Sequence, residues 1–257
     1  MALKLLKPLA IVFLVVYFVY LVVSRAPAEL AASALHKRVP ALWLTGVKGT
    51  VWSGQAASGQ YDLAKSSLPL GEVKWRISFW SLLTLKPCIQ FETGPSSTTA
   101  SGKACQSLAG TTYLKDLSIN SSVAPFSEYL AVELGGRGSV DVVTGELRFG
   151  SNNSVNVESL DARLAWQNAQ ANTGDSWMNL GSYAATVKEN TSKGVTAQIF
   201  NLEAPVNMEM AANWTQESGW HLNGSVVMLE KAPDLLKQGI QLVGQELAPN
   251  TYQVTWP

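Results

Sequence analysis

From Val47 onward the chain is written with a period of two. In "EVKWRIS", Val73, Trp75 and Ile77 alternate with Glu72, Lys74 and Arg76. In "LDARLAWQ", Leu160, Ala162, Leu164 and Trp166 share one side, while Asp161, Arg163 and Gln167 take the other. "VNMEMAANW" repeats the scheme with Val206, Met208, Met210, Ala212 and Trp214, and "TYQVTW" with Tyr252, Val254 and Trp256. Successive side chains of a strand point to opposite faces, so this alternation describes strands buried on one side only. Glycines and polar clusters between the runs (Gly71, Gly94, Gly150, Gly174, Gly194, Gly219) are expected at turns. The fold predicted over 47–257 is therefore mainly β. It is a curved antiparallel sheet, built as an open trough or a sandwich, with its apolar face turned inward by tryptophans and with a few short helices.

The run "GTVWSGQAASG" tests that reading, because small residues around a tryptophan could instead form a catalytic or phosphate loop. It lacks G-x-S-x-G, the Walker spacing and G-x-G-x-x-G. It is read as a strand in which Trp52 anchors the core and Gly54 leaves room for a bend or a close neighbour. A weak internal echo links this region to a later one. The stretch 49–52 followed by "LGEVKW" resembles the stretch 138–147 followed by "SLDARLAW".

Helical signals are few. "PAELAASALHKRVP" predicts a short helix closed by Pro40, within a membrane-proximal linker over 26–46. "APFSEYLAVELGG" predicts a helix over 126–134, with Gly135 just past its end. "SFWSLLTL" reads as a helical turn or a crossover. In "APDLLKQGIQLVGQELAP", Leu235, Leu236, Ile240, Val243 and Leu247 make a stripe at helical spacing, expected to cover the open end of the sheet.

The amino terminus carries Lys4 and Lys7 and then no charge from 8 to 24. As a helix that run spans about 25 Å, close to a bilayer core of about 30 Å. Residues 1–25 are thus expected to be a short cytoplasmic start and a single transmembrane anchor, with the rest of the chain beyond the cytoplasm. The competing reading is a cleaved signal peptide ending near Ala26-Pro27-Ala28. Against it, Tyr17, Phe18 and Tyr20 crowd the end where small residues are usual.

A net charge of zero provides no basic excess for displacing counterions from a nucleic acid, which excludes that class. Cys88 and Cys105 flank the turn-like "TGPSSTTASG" and are expected to form a disulfide in an oxidising compartment, the alternative being two separate buried thiols. Two cysteines and two histidines, far apart, offer no metal-ligand spacing, and no cofactor motif occurs. His221 falls on the polar side of its strand. Glu128, Glu133, Asp141 and Glu146, close in sequence, read as surface charges rather than a glycosidase pair. No catalytic residue is expected.

Taken together, these segments resemble the type II (general) secretion system protein N family. The likeness rests on the charged start and single anchor, "GTVWSGQAASG", "LGEVKWRISFWSLL", "LDARLAW", "GWHLNGSVVMLEKAPDLLKQGIQLVG" and "YQVTW". Gly49, Trp52, Gly54, Gly71, Trp75 and Trp166 carry its structural motif. The resemblance implies a single-pass protein of a bacterial inner membrane with a periplasmic β domain. It would be a non-enzymatic accessory that helps export folded proteins from the periplasm across the outer membrane. Its partners would be other secretion components, in the inner-membrane platform or the outer-membrane secretin. The tryptophan-glycine pattern is also similar, more weakly, to AsmA-like envelope proteins, which implies the alternative of an apolar trough that binds or transfers a lipid or amphiphile.

Overall fold

Alternating strands with short turns between them pair most cheaply with their neighbours in sequence, because each closure orders only a short loop. The structure, a computed structural model, follows that rule almost throughout. It describes residues 13–256 except 15, 16, 19, 79, 82, 83, 131, 151–153, 173 and 175. A helix, α1 (Ala28–Arg38), leads into β1 (Leu42–Thr45), β2 (Lys48–Gly49), β3 (Ser53–Asp62), β4 (Ser67–Ile77), β5 (Cys88–Thr93), β6 (Thr98–Gln106) and β7 (Thr111–Ser122). A 3-10 helix, η1 (Ala124–Tyr129), precedes the long β8 (Glu133–Phe149), β9 (Val155–Asn172) and β10 (Trp177–Glu189). Then come β11 (Val195–Glu203), β12 (Val206–Thr215), β13 (Gly219–Met228), α2 (Asp234–Val243), β14 (Gly244–Ala248) and β15 (Thr251–Trp256). All fifteen strands found among the described residues belong to one antiparallel sheet, in chain order from β3 to β13, with β1 at one edge and β14 at the other. The single sheet decides between the two expected architectures, since a sandwich needs two.

The register shows why the alternation works. Leu117, Val142, Ala162, Val187, Ala197, Ala212 and Leu222 stand directly opposite one another across seven consecutive strands, and together they form a continuous apolar row. One residue along, Asp141, Arg163, Thr186 and Gln198 form the matching polar row on the outer face. Slipping any strand by one residue would exchange the two rows, so burial fixes the register. Register shifts after Gly135, Val142 and Glu146 interrupt the β8–β9 ladder. Such bulges bend long strands and tighten their twist.

The inner face is roofed at both ends. Ala28, the first residue of α1, forms a buried cluster with Ala56 and Trp75 on the sheet, and Leu44, Val73, Ile77 and Phe91 pack around it. Under α2, Leu236 and Ile240 pack on Val206, Met210, Val226, Met228 and Tyr252. The expected stripe of α2 therefore splits. Leu235 and Val243 remain exposed, because a ten-residue helix lying on a sheet end can turn only one narrow side inward. Leu247, expected on the same stripe, lies beyond the helix on β14 and is exposed there.

Several local expectations are corrected. The stretch 48–55 is not one strand but a tight hairpin: β2 pairs with the start of β3, and Thr50 N–H donates to Ser53 O at 3.0 Å. Trp52 is therefore half-buried in the turn rather than a core anchor on a strand. Gly71 lies inside β4, not in a turn. It pairs with Gly59 at a bulge and takes φ +67°, a left-handed conformation that glycine adopts without a Cβ penalty. The helix expected over 126–134 is the earlier, tighter η1, and β8 already begins at Glu133 because Gly135 and Gly136 serve a bulge there rather than a helix end. The sheet begins at Leu42, within the segment read as a linker. Trp256 ends its strand exposed. In "SFWSLLTL", Trp80 and Ser81 are helical, and residues 79, 82 and 83 lie outside the described residues.

The described residues from 13 to 24 are helical, with Phe13, Leu14 and Phe18 exposed. Among the described residues no helix is long and apolar enough to cross a membrane. The first part of the expected anchor, with Lys4 and Lys7, lies outside them.

Candidate functional site

Two places on the inner side of the sheet bring distinctive residues together. The first is the corner where the chain enters it. Gly54 stands opposite both Gly49 and Trp75. The Trp75 ring lies so close over Gly54 that a Cβ there would sit 2.4 Å from it, which only glycine permits. Its indole N–H donates to Val51 O at 3.2 Å, back into the hairpin turn. The Trp52 indole N–H donates to Val23 O at 2.8 Å, at the end of the apolar helix. Val51 N–H donates to Ala26 O at 2.9 Å, and Pro27 bridges Thr50. The hairpin tip thus holds the apolar helix to the sheet. Gly49, Trp52, Gly54 and Trp75 meet here, whereas Gly71 is the bulge further along β4 and Trp166 lies on β9. Cys88 and Cys105, opposite each other on β5 and β6, form the disulfide at the neighbouring strand ends.

The second place is a cavity of about 500 Å³ in the middle of the inner face. Two adjacent rows make its floor. Ile119, Val140, Leu164, Ala185 and Ile199 form one, and Ser121, Gly138, Trp166 and Tyr183 the other. Phe126 and Val123, at η1, and Leu68, from β4, wall it. Leu68 and Leu164 sit five strands apart in the sheet order, so a flat sheet would separate them by about 24 Å. Both line one cavity, so the sheet curls across β4–β9. The β3–β4 turn closes the curl: Ser66 Oγ donates to Pro125 O at 2.7 Å, and Lys65 Nζ to Glu128 O at 3.1 Å.

Polar groups at the cavity are satisfied within the protein. Thr98 Oγ1 and Ser121 Oγ share a hydrogen bond at 2.8 Å. The Trp166 indole N–H donates to Gly135 O at 3.0 Å, and Tyr183 Oη donates to Leu180 O at 2.7 Å. Burial pushes the Tyr183 phenol above its ordinary value, so it stays neutral. A larger cleft, about 680 Å³, opens beside the β10 bulge with Trp177, Asn179, Glu203, Lys231 and Asp234 on its walls. Its mixed charges and amides suit water better than an apolar guest.

The remaining candidates stand elsewhere. His36 Nδ1 lies 3.1 Å from Leu42 O, with its ring against Trp43. His221 is exposed on the outer face, opposite Asn213. β8 strings Glu133, Asp141 and Glu146 along its length. Asp141 and Glu146 are therefore roughly 16 Å apart along the strand, wider than the span of roughly 5–9.5 Å that paired glycosidase carboxyls use. Sequence reasoning named Trp166 and Leu164 as inward-facing but not the cavity. Their partners Ile119, Val140 and Tyr183 come from other strands, and only the register and the curl bring them together.

These features define a class: a one-sheet, open β trough, roofed by a helix at each end and joined at its entry to an apolar helix. The sequence model of the family "Type II secretion system (T2SS), protein N" matches residues 40–255, and the chain belongs to that family. It is 27% identical over 251 residues to the type II secretion system protein N of Aeromonas hydrophila, covering 92% of each chain. It is 32% identical over 210 residues to the protein of the same name from Vibrio cholerae serotype O1, covering 75% of this chain and 79% of that one. No solved structure matches the chain. The chain is an accessory component of the type II secretion system and acts in protein transport alongside other components of that system.

Proposed function

We propose that the protein is a membrane-tethered scaffold, with residues 1–25 as a single inner-membrane anchor and the sheet as a periplasmic domain that works by contact rather than catalysis. The observation that carries this reading is the joint at the hairpin tip. Trp52, Val51 and Thr50 fasten the sheet to the end of the apolar helix, so the helix is a built-in part of the domain. A fixed joint holds the sheet at one height and tilt above a bilayer, which suits a part that must meet other secretion components repeatedly. Its contacts would be with the inner-membrane platform or the outer-membrane secretin. Deleting the gene should strand exported proteins in the periplasm. Normal secretion in a strain with no second copy sinks the reading.

A second reading is favoured by the cavity itself. About 500 Å³ with an almost wholly apolar lining and few polar groups fits the size and character of small-ligand sites. The ligand would be a lipid or amphiphile lying over Leu164, Ala185 and Ile199. Native mass spectrometry of the purified full chain should then find a co-purifying lipid, removed by Leu164→Gln. A protein that is always lipid-free ends this second reading and leaves the scaffold intact.

A further inference from the structure

We infer that the strand ends beside the apolar helix make a second contact with the bilayer, seating the 78–87 loop and the β6–β7 turn on the lipid interface. This rests on the anchor reading above. The placement follows from a chain of backbone bonds that starts at the joint. Trp52 binds the last turn of the apolar helix through Val23 O. Trp52 O accepts the N–H of Ile77 at 2.7 Å, which fixes the end of β4 beside the helix. Ser78 N–H donates to Cys88 O at 3.1 Å and Gln106 N–H to Pro87 O at 3.0 Å, and the Cys88–Cys105 disulfide ties the base of the loop to β6. From β3 to β6 is three strand spacings, about 15 Å. The helix end, the loop and the β6–β7 turn therefore share one stretch of the sheet's border.

What this border presents is apolar at its tips. Trp80 is 75% exposed, Leu85 60% and Leu108 77%. Leu85 holds φ at 56°, a conformation unfavourable for a residue with a Cβ, and presents its side chain to solvent there. Cations stand just behind. Lys86 Nζ lies 4.9 Å from the centre of the Tyr113 ring. Arg76 and Lys103 flank Gln90 in register, and Lys115 stands directly opposite Lys103. None of Arg76, Lys103 and Lys115 is in an ion pair among the described residues. Glu92 lies two residues further in on β5 than Gln90, and Glu146 stands opposite Tyr113 beside this basic strip. Like charges directly opposite on a sheet repel, and nearby lipid phosphates would relieve that cost. Indole and leucine at the tips with basic side chains behind match the layering of a membrane interface, apolar contact first and headgroup charge next.

The test uses the full chain in its native membranes, with a photoreactive benzophenone analogue of phenylalanine replacing Leu85 or Leu108. Leu130 and Leu202, exposed near the opposite strand ends, receive the same replacement as controls. Mass spectrometry should find at least tenfold more phospholipid adduct at 85 and 108 than at 130 and 202. Equal lipid labelling at all four positions, or protein adducts in place of lipid at 85 and 108, overturns the inference. Membrane fractionation of each variant separates the two claims. A chain that resists alkaline extraction yet shows no lipid adduct at 85 and 108 retains its anchor and lacks the second contact. A chain lost from the membrane fraction overturns both.

Discussion

Trp75 and Trp166 hold matching places in the two echoing halves of the sequence, and the sheet treats them differently. Each stands directly opposite a glycine, Gly54 or Gly138, and each donates its indole N–H to a backbone carbonyl nearby. At the entry corner, α1 closes over the strands and Trp75 is only 7% exposed. In the centre the short η1 walls the sheet through Val123 and Phe126 without sealing it, and Trp166 stays half-buried on the floor of a cavity. One motif thus serves two purposes. At Gly54 the Trp75 ring fills the missing side-chain volume, while the Trp166 indole leans toward Gly136 and leaves the space at Gly138 to Val123. The covering helix decides whether the place becomes core or trough. The corner is built to hold, and the centre is left available.

Truncation measures that difference directly. Trp75→Ala should cost about 3–5 kcal/mol, the range for emptying a packed aromatic site, with the loss read by urea denaturation. Trp166→Ala should cost less, since part of its surface is already in contact with water. Equal losses would erase the distinction between core and trough. Reducing the Cys88–Cys105 bond should cost about 3 kcal/mol through loop closure. Hydrogen exchange should then rise in β4–β6 and stay unchanged in β9–β11. A rise spread evenly over the sheet would show that the corner and the centre are one cooperative unit.

Glycine substitutions sharpen the contrast at smaller scale. Gly54→Ala forces a Cβ into the Trp75 ring, so about 1–3 kcal/mol should be lost. Gly138→Ala brings a Cβ to 3.3 Å from Val123 Cγ1 and 3.9 Å from Ser121 O, and should shift stability by less than about 1 kcal/mol, in either direction. The smallest effect concerns pH. Leu160 N–H donates to Glu189 Oε2 at 2.8 Å, and this backbone bond, first among its causes, holds the Glu189 carboxyl below the usual glutamate range. A depressed folded value adds stability above the unfolded pKa and loses it as pH falls through the folded one. Acid titration should therefore show a shallow loss below the ordinary glutamate range, absent in Glu189→Gln. An unchanged acid limb in that variant would assign the loss to other carboxyls.

Much of this was legible residue by residue. In "VNMEMAANW" the alternation placed Val206, Met210 and Ala212 inside and Asn207, Glu209 and Asn213 outside, as the sheet has them. Strand polarity of this kind is a local property that needs no knowledge of neighbours. The α2 stripe and the α1 helix were readable for the same reason. The errors fell where two local signals overlap. "GTVWSGQ" alternates well enough to pass for a strand, yet its glycines also permit the tight turn that places Trp52 at the hairpin tip. Gly71 carries the signature of a turn, but the pairing of β3 with β4 uses it as a bulge. "APFSEYLAVELGG" has the punctuation of a helix, whereas the long β8 needs Glu133 and its following glycines for itself.

The sequence by itself determined the two-faced strands, the helices at the two ends, the cysteine pair and the family, because each depends on spacing along the chain. Only the tertiary structure decided that Trp52 clasps the apolar helix, that Leu68 and Leu164 face one cavity, and that one of two like tryptophans is sealed. Those outcomes depend on how far the sheet curls and where the helices come to rest. Curl accumulates from bulges and twist over many strands, and no single stretch of residues records that sum.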